Sequence, residues 1–270
     1  MAGPVKQVIC INWGTKFGPR YINRLYAMVA RNITPPFTFT CFTDSRDGIR
    51  PEVNCQDLPP MGAEMPKRTK GKWPKSRLWG EKLGDLAGPV LFLDLDLVIV
   101  GSLDDFFTWG DPDEVILARN AAKPFERVGQ TSVYRMPVGK LKPLQDRFRA
   151  DPQGVADEYR YEQRFVTRNA PGGVKLFPKR WVVHFRYQCM PAIPLNYFIP
   201  ARLPADARIV IFPGGVLPEH AIAGGWVGFE GQGPWDHIRG VFGDRKGEKP
   251  LRYLRHYMRP VPWVADHWRE

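Results

Sequence analysis

The sequence contains few cysteines and no long hydrophobic run. Its four cysteines form no CxxC pair, which argues against a disulfide framework and is typical of a protein from a reducing cytoplasm. No apolar run approaches the ~20 residues of a membrane-spanning helix. Residues 1–14 lack the charged region and long apolar stretch of a signal peptide. These absences predict a cytoplasmic globular protein.

Acidic residues are outnumbered, since 28 Asp and Glu stand against 39 Lys and Arg, for a net charge of +11. Such an excess favours anionic partners: nucleotide diphosphates, anionic lipid surfaces or nucleic acid. Part of the excess lies in a basic cluster at residues 67–77, namely Lys67, Arg68, Lys70, Lys72, Lys75 and Arg77. This cluster is either a ligand-facing loop or a solvated one. No zinc-finger, helix-turn-helix or RNP pattern accompanies it, so nucleic acid is not an expected partner.

The first half of the chain alternates between strand and helix patterns. Residues 7–13 and 38–45 are typical of strands, and residues 20–33 have apolar side chains at helical spacing. A further helix is predicted near 76–86, before the apolar run 91–100. The order β, α, β, α, β predicts an α/β fold with a mostly parallel, doubly wound sheet, whose ligands bind at the carboxyl ends of the strands.

The second half has a less regular pattern. Strands are predicted at 114–120, 131–136 and 208–215, and short helices at 141–151 and 157–169. Residues 221–270 are rich in loops and aromatic residues. There is no internal repeat and no sharp change of composition. We therefore predict one domain over 1–220, followed by a C-terminal appendage over 221–270.

Two aspartates, Asp94 and Asp96, interrupt the apolar run at 91–100. On a strand they would share one face, because strand side chains alternate. Buried carboxylates cost several kcal/mol unless compensated, and two together repel unless a cation lies between them. The pair predicts a site for Mg²⁺ or Mn²⁺, which carboxylates bind while leaving positions open for phosphates. By contrast, Asp104 and Asp105 are predicted to cap a short helix.

The segment LFLDLDLVIVGSLDDFF, residues 91–107, resembles the metal-binding strand of GT-A-fold, nucleotide-sugar-dependent glycosyltransferases. The likeness is greatest to family 8, the glycogenin- and galactosyltransferase-like enzymes, and to related bacterial enzymes, and it extends over residues 7–220. It implies a GT-A-type domain that transfers sugar from a nucleotide donor, UDP-linked, with retention of anomeric configuration. It also implies Mn²⁺ or Mg²⁺ bound by Asp94 and Asp96, the former also reaching the donor ribose.

The same resemblance assigns donor contacts to the loop NWGTKFGPRY, residues 12–21. Trp13, Thr15 and Phe17 would hold the nucleotide base there, with Phe17 placed either to stack on it or to pack on a neighbouring helix. Lys75, in KWPKSRLWG, matches a lysine that contacts the donor. A cation facing a diphosphate also agrees with the basic cluster.

Two later segments follow the family's order. GQTSVYRM, residues 129–136, places Ser132 in the sugar pocket, with Gln130 where the family has asparagine. YEQRFVTR, residues 161–168, places Glu162 and Gln163 near the anomeric carbon as the catalytic pair. Without the resemblance, these two residues would be ordinary surface residues of an amphipathic helix.

The segment FPGGVLPEH, residues 212–220, departs most from the family's H-G-x-x-K-P. Gly214 is retained as a donor contact. Pro213 and Leu217 replace the histidine that binds metal and the lysine that contacts diphosphate. His220 is either a substitute metal ligand or a solvated loop residue.

Two alternatives to a glycosyltransferase stay open. One is a catalytically degenerate binding module of the same fold, which Pro213 and Leu217 favour. The other is a sugar-1-phosphate nucleotidyltransferase, although the chain has no G-x-G-T-R loop. The acceptor could be a glycan, a lipid-linked molecule or a protein. Residues 251–259 would give weak contact with the inner face of a membrane if Arg252, Arg255 and Arg259 lay beside Leu251, Leu254 and Met258 on one surface; otherwise they form an ordinary packed helix.

Overall fold

A seven-stranded sheet forms the centre of the computed structural model, which describes residues 4–69, 71–225, 228, 231–243 and 247–270. The strands are β1 (Lys6–Asn12), β2 (Phe37–Thr43), β3 (Asn54–Asp57), β4 (Pro89–Leu93), β5 (Leu97–Ile99), β6 (Val115–Arg119), β7 (Gly129–Pro137), β8 (Val174–Leu176), β9 (Val182–His184) and β10 (Ile209–Ile211). The α-helices are α1 (Pro19–Asn32), α2 (Asp105–Thr108), α3 (Lys142–Ala150), α4 (Pro152–Tyr159), α5 (Glu162–Asn169), α6 (Pro218–Ala223), α7 (Pro234–Arg239), α8 (Pro250–Leu254) and α9 (Pro262–His267).

The strand order in this sheet is β3-β2-β1-β4-β7-β6-β8. Four neighbouring pairs are parallel, β1 with β2 and β4, β2 with β3, and β6 with β8. Strand β7 is antiparallel to both β4 and β6. A second sheet has the order β5-β10-β9. The predicted α/β architecture with a mostly parallel sheet is confirmed.

Helices cover both faces of the central sheet, which is why its strands are almost continuously apolar. Val8 and Cys10 of β1 belong to one core cluster together with Leu25 of α1. Ile9 and Ile11 belong to a second cluster with side chains of α3 and α5. The two clusters hold the sheet rigid on both sides, so the loops at its carboxyl edge start from fixed positions.

The apolar run that contains the two aspartates is not one strand. Strand β4 ends at Leu93, residues 95–96 form a turn, and β5 joins the second sheet antiparallel to β10. The same-face argument for Asp94 and Asp96 was therefore wrong in its geometry, because both residues lie in the connection between sheets. The predicted position at the carboxyl end of a central strand is right for Asp94, whose backbone N–H donates to the Ser132 carbonyl at 2.9 Å.

Other element predictions also need correction. The helix predicted near 76–86 is a 3-10 helix over Trp73–Trp79, and two glycines follow it, of which Gly84 has a φ of +57°. The helix predicted at 157–169 is divided between α4 and α5 at Arg160, the one described non-glycine residue with positive φ. Short strands β3, β8 and β9 were not predicted, because three or four residues are too few to show a periodicity.

Asp104 has the predicted position before a short helix but a different role. It precedes α2, yet its carboxylate makes no capping hydrogen bond. Instead it accepts from the backbone N–H and hydroxyl of Thr34 and lies 2.9 Å from Lys6 Nζ. Asp104 therefore ties the end of β5 to the loop after α1.

The end of the chain packs into the main core. Tyr253, Met258, Val261, Val264 and Trp268 belong to the same cluster as β1 and α1. The domain boundary at residue 220 stays a prediction, but the chain on either side of it shares one core. None of the described helices is long or apolar enough to cross a membrane. All four cysteines are free thiols.

Candidate active site

A pocket of about 470 Å³ opens at the carboxyl edge of the central sheet. The segments that line it follow β1 and β4, include parts of β7 and the start of α5, and follow β10. In residue numbers these are 11–13, 16–17, 94–96, 130–132, 161–163, 212–215 and 217, together with Lys72 and Lys75. Ligand sites of open α/β sheets lie at this edge.

Most of the residues predicted to form a site line this pocket. They are Trp13, Phe17, Lys75, Asp94, Asp96, Ser132, Glu162, Gln163 and Gly214. The structure does not bring Thr15 or His220 to it. Thr15 is exposed in the turn after β1. His220 lies in α6, where its Nδ1 accepts the Leu217 backbone N–H at 3.0 Å.

Lys75 is a buried residue of the 3-10 helix, and the prediction that it lies in a basic loop was wrong. Its side chain is 8% exposed, and its Nζ lies 2.6 Å from Asp94 Oδ1. The same ammonium donates to the Thr131 carbonyl at 3.1 Å. Burial lowers the pKa of Lys75, but the charges of Asp94 and Glu162 outweigh it and leave the pKa raised. Lys75 is therefore a permanent cation beneath the pocket.

Asp96 lies close enough to this ion pair to feel the charges of Asp94 and Lys75, and it forms no salt bridge with another described residue. Burial, and then the charge of Asp94, raise the pKa of Asp96 from 3.8 to about 6, although Lys75 and Lys16 act in the opposite direction. Its carboxylate is thus held in an environment too poor in positive charge. A divalent cation would supply that charge. Carboxylate oxygens are the ligands that Mg²⁺ and Mn²⁺ prefer.

The chemistry of the two aspartates fits such a cation only in part. Among the described residues, no group of three or more His, Cys, Asp and Glu side chains could hold a metal ion. Pro213, at the position where the resemblance expects a histidine, has no side-chain donor. A cation at Asp94 and Asp96 would therefore need the rest of its ligands from a bound phosphate and from water.

Glu162 joins the same network through Thr131. It is 5% exposed, and its Oε1 accepts the hydroxyl proton of Thr131, whose carbonyl binds Lys75. Burial raises the pKa of Glu162, and the charge of Lys75 partly opposes this. The preceding Arg160 has a φ of 62°, a strained conformation of the kind found at functional sites. It starts α5 in the direction that sends Tyr161, Glu162 and Gln163 into the pocket.

Sequence patterns did not single out several lining residues, among them Lys16, Lys72 and Tyr161. Lys16 and Lys72 are exposed, and within the described part of the chain neither is ion-paired. Their neighbours in the basic cluster have other partners: Lys67 pairs with Glu64 and Arg68 with Asp157. Lys70 lies outside the described residues. The charge excess of the cluster was the available signal, but it could not tell which lysines face the pocket.

Gly214 and Gly215 form a glycine wall of the pocket and have φ values of 89° and 94°. These conformations favour glycine, since a Cβ would be strained there. Apart from the adjacent residues of the chain, no described atom lies within 4 Å of the position that a Cβ would take at either residue. The backbone of this wall is therefore open to close approach by a ligand.

We expect Lys75→Met to lower the free energy of unfolding by about 3 kcal/mol, because it leaves the Asp94 carboxylate without its partner. Chemical denaturation measures the change. The double variant Lys75→Met/Asp94→Asn should recover part of the loss. Lys67→Met is the matched control, and its exposed pair should contribute less than about 0.5 kcal/mol. Equal effects of Lys75→Met and Lys67→Met would contradict the buried ion pair.

We expect Asp96→Asn to stabilise the ligand-free protein, with EDTA present, by on the order of 1 kcal/mol at pH 7. The pKa of Asp96 is raised in the folded state, so wild-type stability falls as the pH rises from about 4 to about 6. Asparagine has no such loss. The difference in melting temperature should thus be largest above pH 6 and disappear below pH 4. A variant less stable than wild type at pH 7 would contradict this account of Asp96.

No protein-family model and no curated protein sequence matches the chain. Several solved structures are similar to it. The galactosyltransferase LgtC, in complex with donor and acceptor sugar analogues, is similar with a TM-score of 0.55 at 14% identity, over 96% of this chain and 99% of that one. The apo glycosyltransferase GlyE of Streptococcus pneumoniae TIGR4 is similar with a TM-score of 0.54 at 13% identity, over 97% of this chain and 64% of that one. The apo bifunctional glycosyltransferase WbbM has a TM-score of 0.54 at 9% identity, over 94% of this chain and 52% of that one. The chain therefore has the GT-A fold of these glycosyltransferases.

Proposed function

We propose that this protein is a glycosyltransferase that moves a sugar from a nucleotide-diphosphate donor, UDP-linked, to an acceptor hydroxyl. One observation carries the proposal. Asp94 and Asp96, at the carboxyl end of β4 in a GT-A fold, line one pocket with Lys75, Glu162 and Gln163. Phosphate groups, a cation and a sugar would each find suitable residues in this pocket.

Asp94 and Asp96 are the residues that would hold Mn²⁺ or Mg²⁺. Bound there, the ion would neutralise the negative charge that develops on the diphosphate leaving group. Lys75 holds Asp94 in place through its 2.6 Å contact with Oδ1, and the other carboxylate oxygen would bind the ion. Because the described residues offer no third ligand, ion and nucleotide should bind together.

The donor would lie across the pocket from the loop after β1 to the start of α5. Trp13 and Phe17 line the pocket and would stack on the nucleotide base. Lys16 and Lys72 would face the diphosphate and compensate for Leu217, which stands where the resemblance expects a lysine. Two exposed ammonium groups beside a nucleoside diphosphate favour its binding at low ionic strength.

The sugar and its anomeric carbon would lie toward Ser132, Glu162 and Gln163. Gln130 fixes this side of the pocket, since its Oε1 accepts the Ser132 backbone N–H at 3.1 Å. We propose retention of configuration, in line with the resemblance. The oxygen of the departing diphosphate can accept the proton of the acceptor hydroxyl, so no separate base is required.

The two alternatives differ in what they bind and release. Titration of the full chain with UDP, with and without Mn²⁺, should show metal-dependent binding in a glycosyltransferase. Incubation with a panel of nucleotide sugars should then release UDP and sugar, seen by mass spectrometry. Metal-dependent UDP binding with no release from any donor would favour the degenerate binding module. Formation of a nucleotide sugar from nucleoside triphosphate and sugar 1-phosphate would favour the nucleotidyltransferase.

We expect Asp94→Asn and Asp96→Asn to reduce donor turnover by about 100-fold or more while the protein stays folded, since each removes one negative charge from the cation site. Initial rates at saturating donor and Mn²⁺ provide the measurement, with circular dichroism as the test of folding. Asp105→Asn is the matched control. This exposed carboxylate of α2 pairs with Arg208 outside the pocket. Near-normal rates in both site variants would contradict the metal-dependent mechanism.

A weak contact with the inner face of a membrane is a second proposal, about the acceptor's location. The stripe that the sequence suggested is incomplete, because Met258 is 2% exposed and Leu254 is half-buried. Other apolar side chains of the appendage are exposed instead: Trp235 at 71%, Phe242 at 93% and Leu251 at 57%. Together with exposed arginines they suit the interface of an anionic bilayer.

We expect the full chain to float with anionic vesicles at low salt and to dissociate as salt is added, because each basic side chain contributes about 1 kcal/mol that salt screens. Trp235→Ser/Phe242→Ser should weaken flotation at equal salt. The matched control is Trp109→Ser, which alters a 39% exposed tryptophan outside the appendage. Absence of flotation even at low ionic strength would refute the membrane contact and leave the pocket proposal unaffected.

A further inference from the structure

Tyr21, in the first turns of α1, lies where three separate parts of the chain meet. Its ring is 4.7 Å from the ring of Phe17, centroid to centroid, and 5.4 Å from that of Trp268. Its hydroxyl donates a short hydrogen bond to Glu219 Oε1 in α6. One side chain thus contacts the loop after β1, the helix after β10 and the last residues of the chain.

The first two of these parts each lead into a wall of the pocket. Phe17 lines one wall directly. The other wall is formed by residues 212–215 and Leu217, and α6 follows without a break. His220 closes the start of that helix by accepting the Leu217 backbone N–H. A shift of Glu219 would therefore shift the glycine wall, and Tyr21 is the side chain that connects Glu219 to Phe17.

Glu219 depends on Tyr21 to an unusual degree. Its second carboxylate oxygen, Oε2, is buried and has no hydrogen-bond partner among the described residues. Loss of the Tyr21 hydroxyl would leave this half-buried carboxylate without its side-chain hydrogen bond, which costs free energy because Oε2 is shielded from water. Burial, the bond to Glu219 and the nearby charges of Glu219 and Asp96 raise the pKa of Tyr21. The phenol therefore keeps its proton and remains a donor over the whole working range of pH.

The end of the chain packs against Tyr21 through Trp268. Trp268 is 2% exposed, and the guanidinium of Arg24 lies 4.0 Å from its ring centroid. Arg31 Nη2 donates to the carbonyls of His267 and Arg269 at 2.9 and 2.8 Å. These contacts fix the final residues along α1, so Trp268 cannot leave Tyr21 without breaking several of them.

We infer that Tyr21 is a positioning residue that joins the two walls of the pocket, with Trp268 holding it in place, and that the C-terminal residues thereby control nucleotide binding without touching the nucleotide. The inference rests on the proposed function only for the identity of the ligand. The hydroxyl of Tyr21, the carboxylate of Glu219 and the indole of Trp268 act together to hold the two walls in position.

The test uses the full chain and two readouts. Hydrogen exchange followed by mass spectrometry reports on the two wall segments, 12–18 and 212–218, without any ligand. Calorimetric titration with UDP and Mn²⁺ reports on binding. The variants are Tyr21→Phe, Glu219→Leu, their combination and Trp268→Leu. Glu219→Gln is the conservative variant, because its amide oxygen still accepts from Tyr21. Tyr26→Phe removes a hydroxyl from the same helix, where the ring faces Phe37 and Phe39 instead.

Tyr21→Phe and Glu219→Leu should each speed exchange in both wall segments and raise the Kd for UDP about fivefold or more, since each removes one hydrogen bond to a charged group. The combination should be no worse than either single change, because both act on one contact. Trp268→Leu should speed exchange in the same two segments. Glu219→Gln and Tyr26→Phe should stay within about twofold of wild type, a rescue that a general structural role for these positions does not predict.

Three results would overturn the inference: exchange unchanged in Tyr21→Phe, exchange faster in only one wall, or equal loosening of the whole sheet. A wild-type protein that does not bind UDP, but whose two walls loosen together in Tyr21→Phe, would support the positioning role and refute the proposed function. Equal UDP affinity in wild type and Tyr21→Phe, with UDP bound by both, would refute the role in binding and leave the proposed function standing.

Discussion

Three carboxylates share one buried ammonium group beneath the pocket, and the rest of the site depends on that imbalance. Lys75 pairs with Asp94 at 2.6 Å and donates to the Thr131 carbonyl. The hydroxyl of the same threonine donates to Glu162. Asp96 is left over, with its pKa raised to about 6 by burial and by Asp94. Asp96 is half-buried, and a partly desolvated carboxylate beside a like charge lowers the stability of the fold. This excess of negative charge is what the proposed cation would neutralise.

The fold creates this imbalance at the point where the chain leaves one sheet for another. Strand β4 ends the central sheet at Leu93, and β5 begins the second sheet at Leu97. The three residues between them are anchored by the apolar strands on either side, so their polar side chains cannot withdraw to solvent. The second sheet returns through β10 to the glycine wall, which brings residues 212–217 to face the aspartates. The change from one sheet to the other thus places both the two aspartates and the glycine wall at the pocket.

Much of this was predictable from particular residues, and the failures have physical causes. Long apolar strands and the periodic helix α1 were predicted well because burial on two faces, or on one, leaves a clear pattern. Lys75 was misplaced because a buried lysine has the sequence appearance of a loop lysine until its partner is known. His220 lay close in sequence to the glycine wall, yet it caps α6. Lys16 and Tyr21 left no signal, since their roles come from contacts between segments distant in sequence.

The central claim is that Asp94 and Asp96 bind a divalent cation together with a nucleotide. Electron paramagnetic resonance of Mn²⁺, titrated into the wild-type chain with and without UDP, tests it most directly because free and bound Mn²⁺ differ in signal. Two carboxylates make a weak site alone, and the diphosphate completes it. UDP should therefore raise the affinity for Mn²⁺ about tenfold or more. Tight Mn²⁺ binding without nucleotide, or an affinity that UDP does not change, would contradict the account.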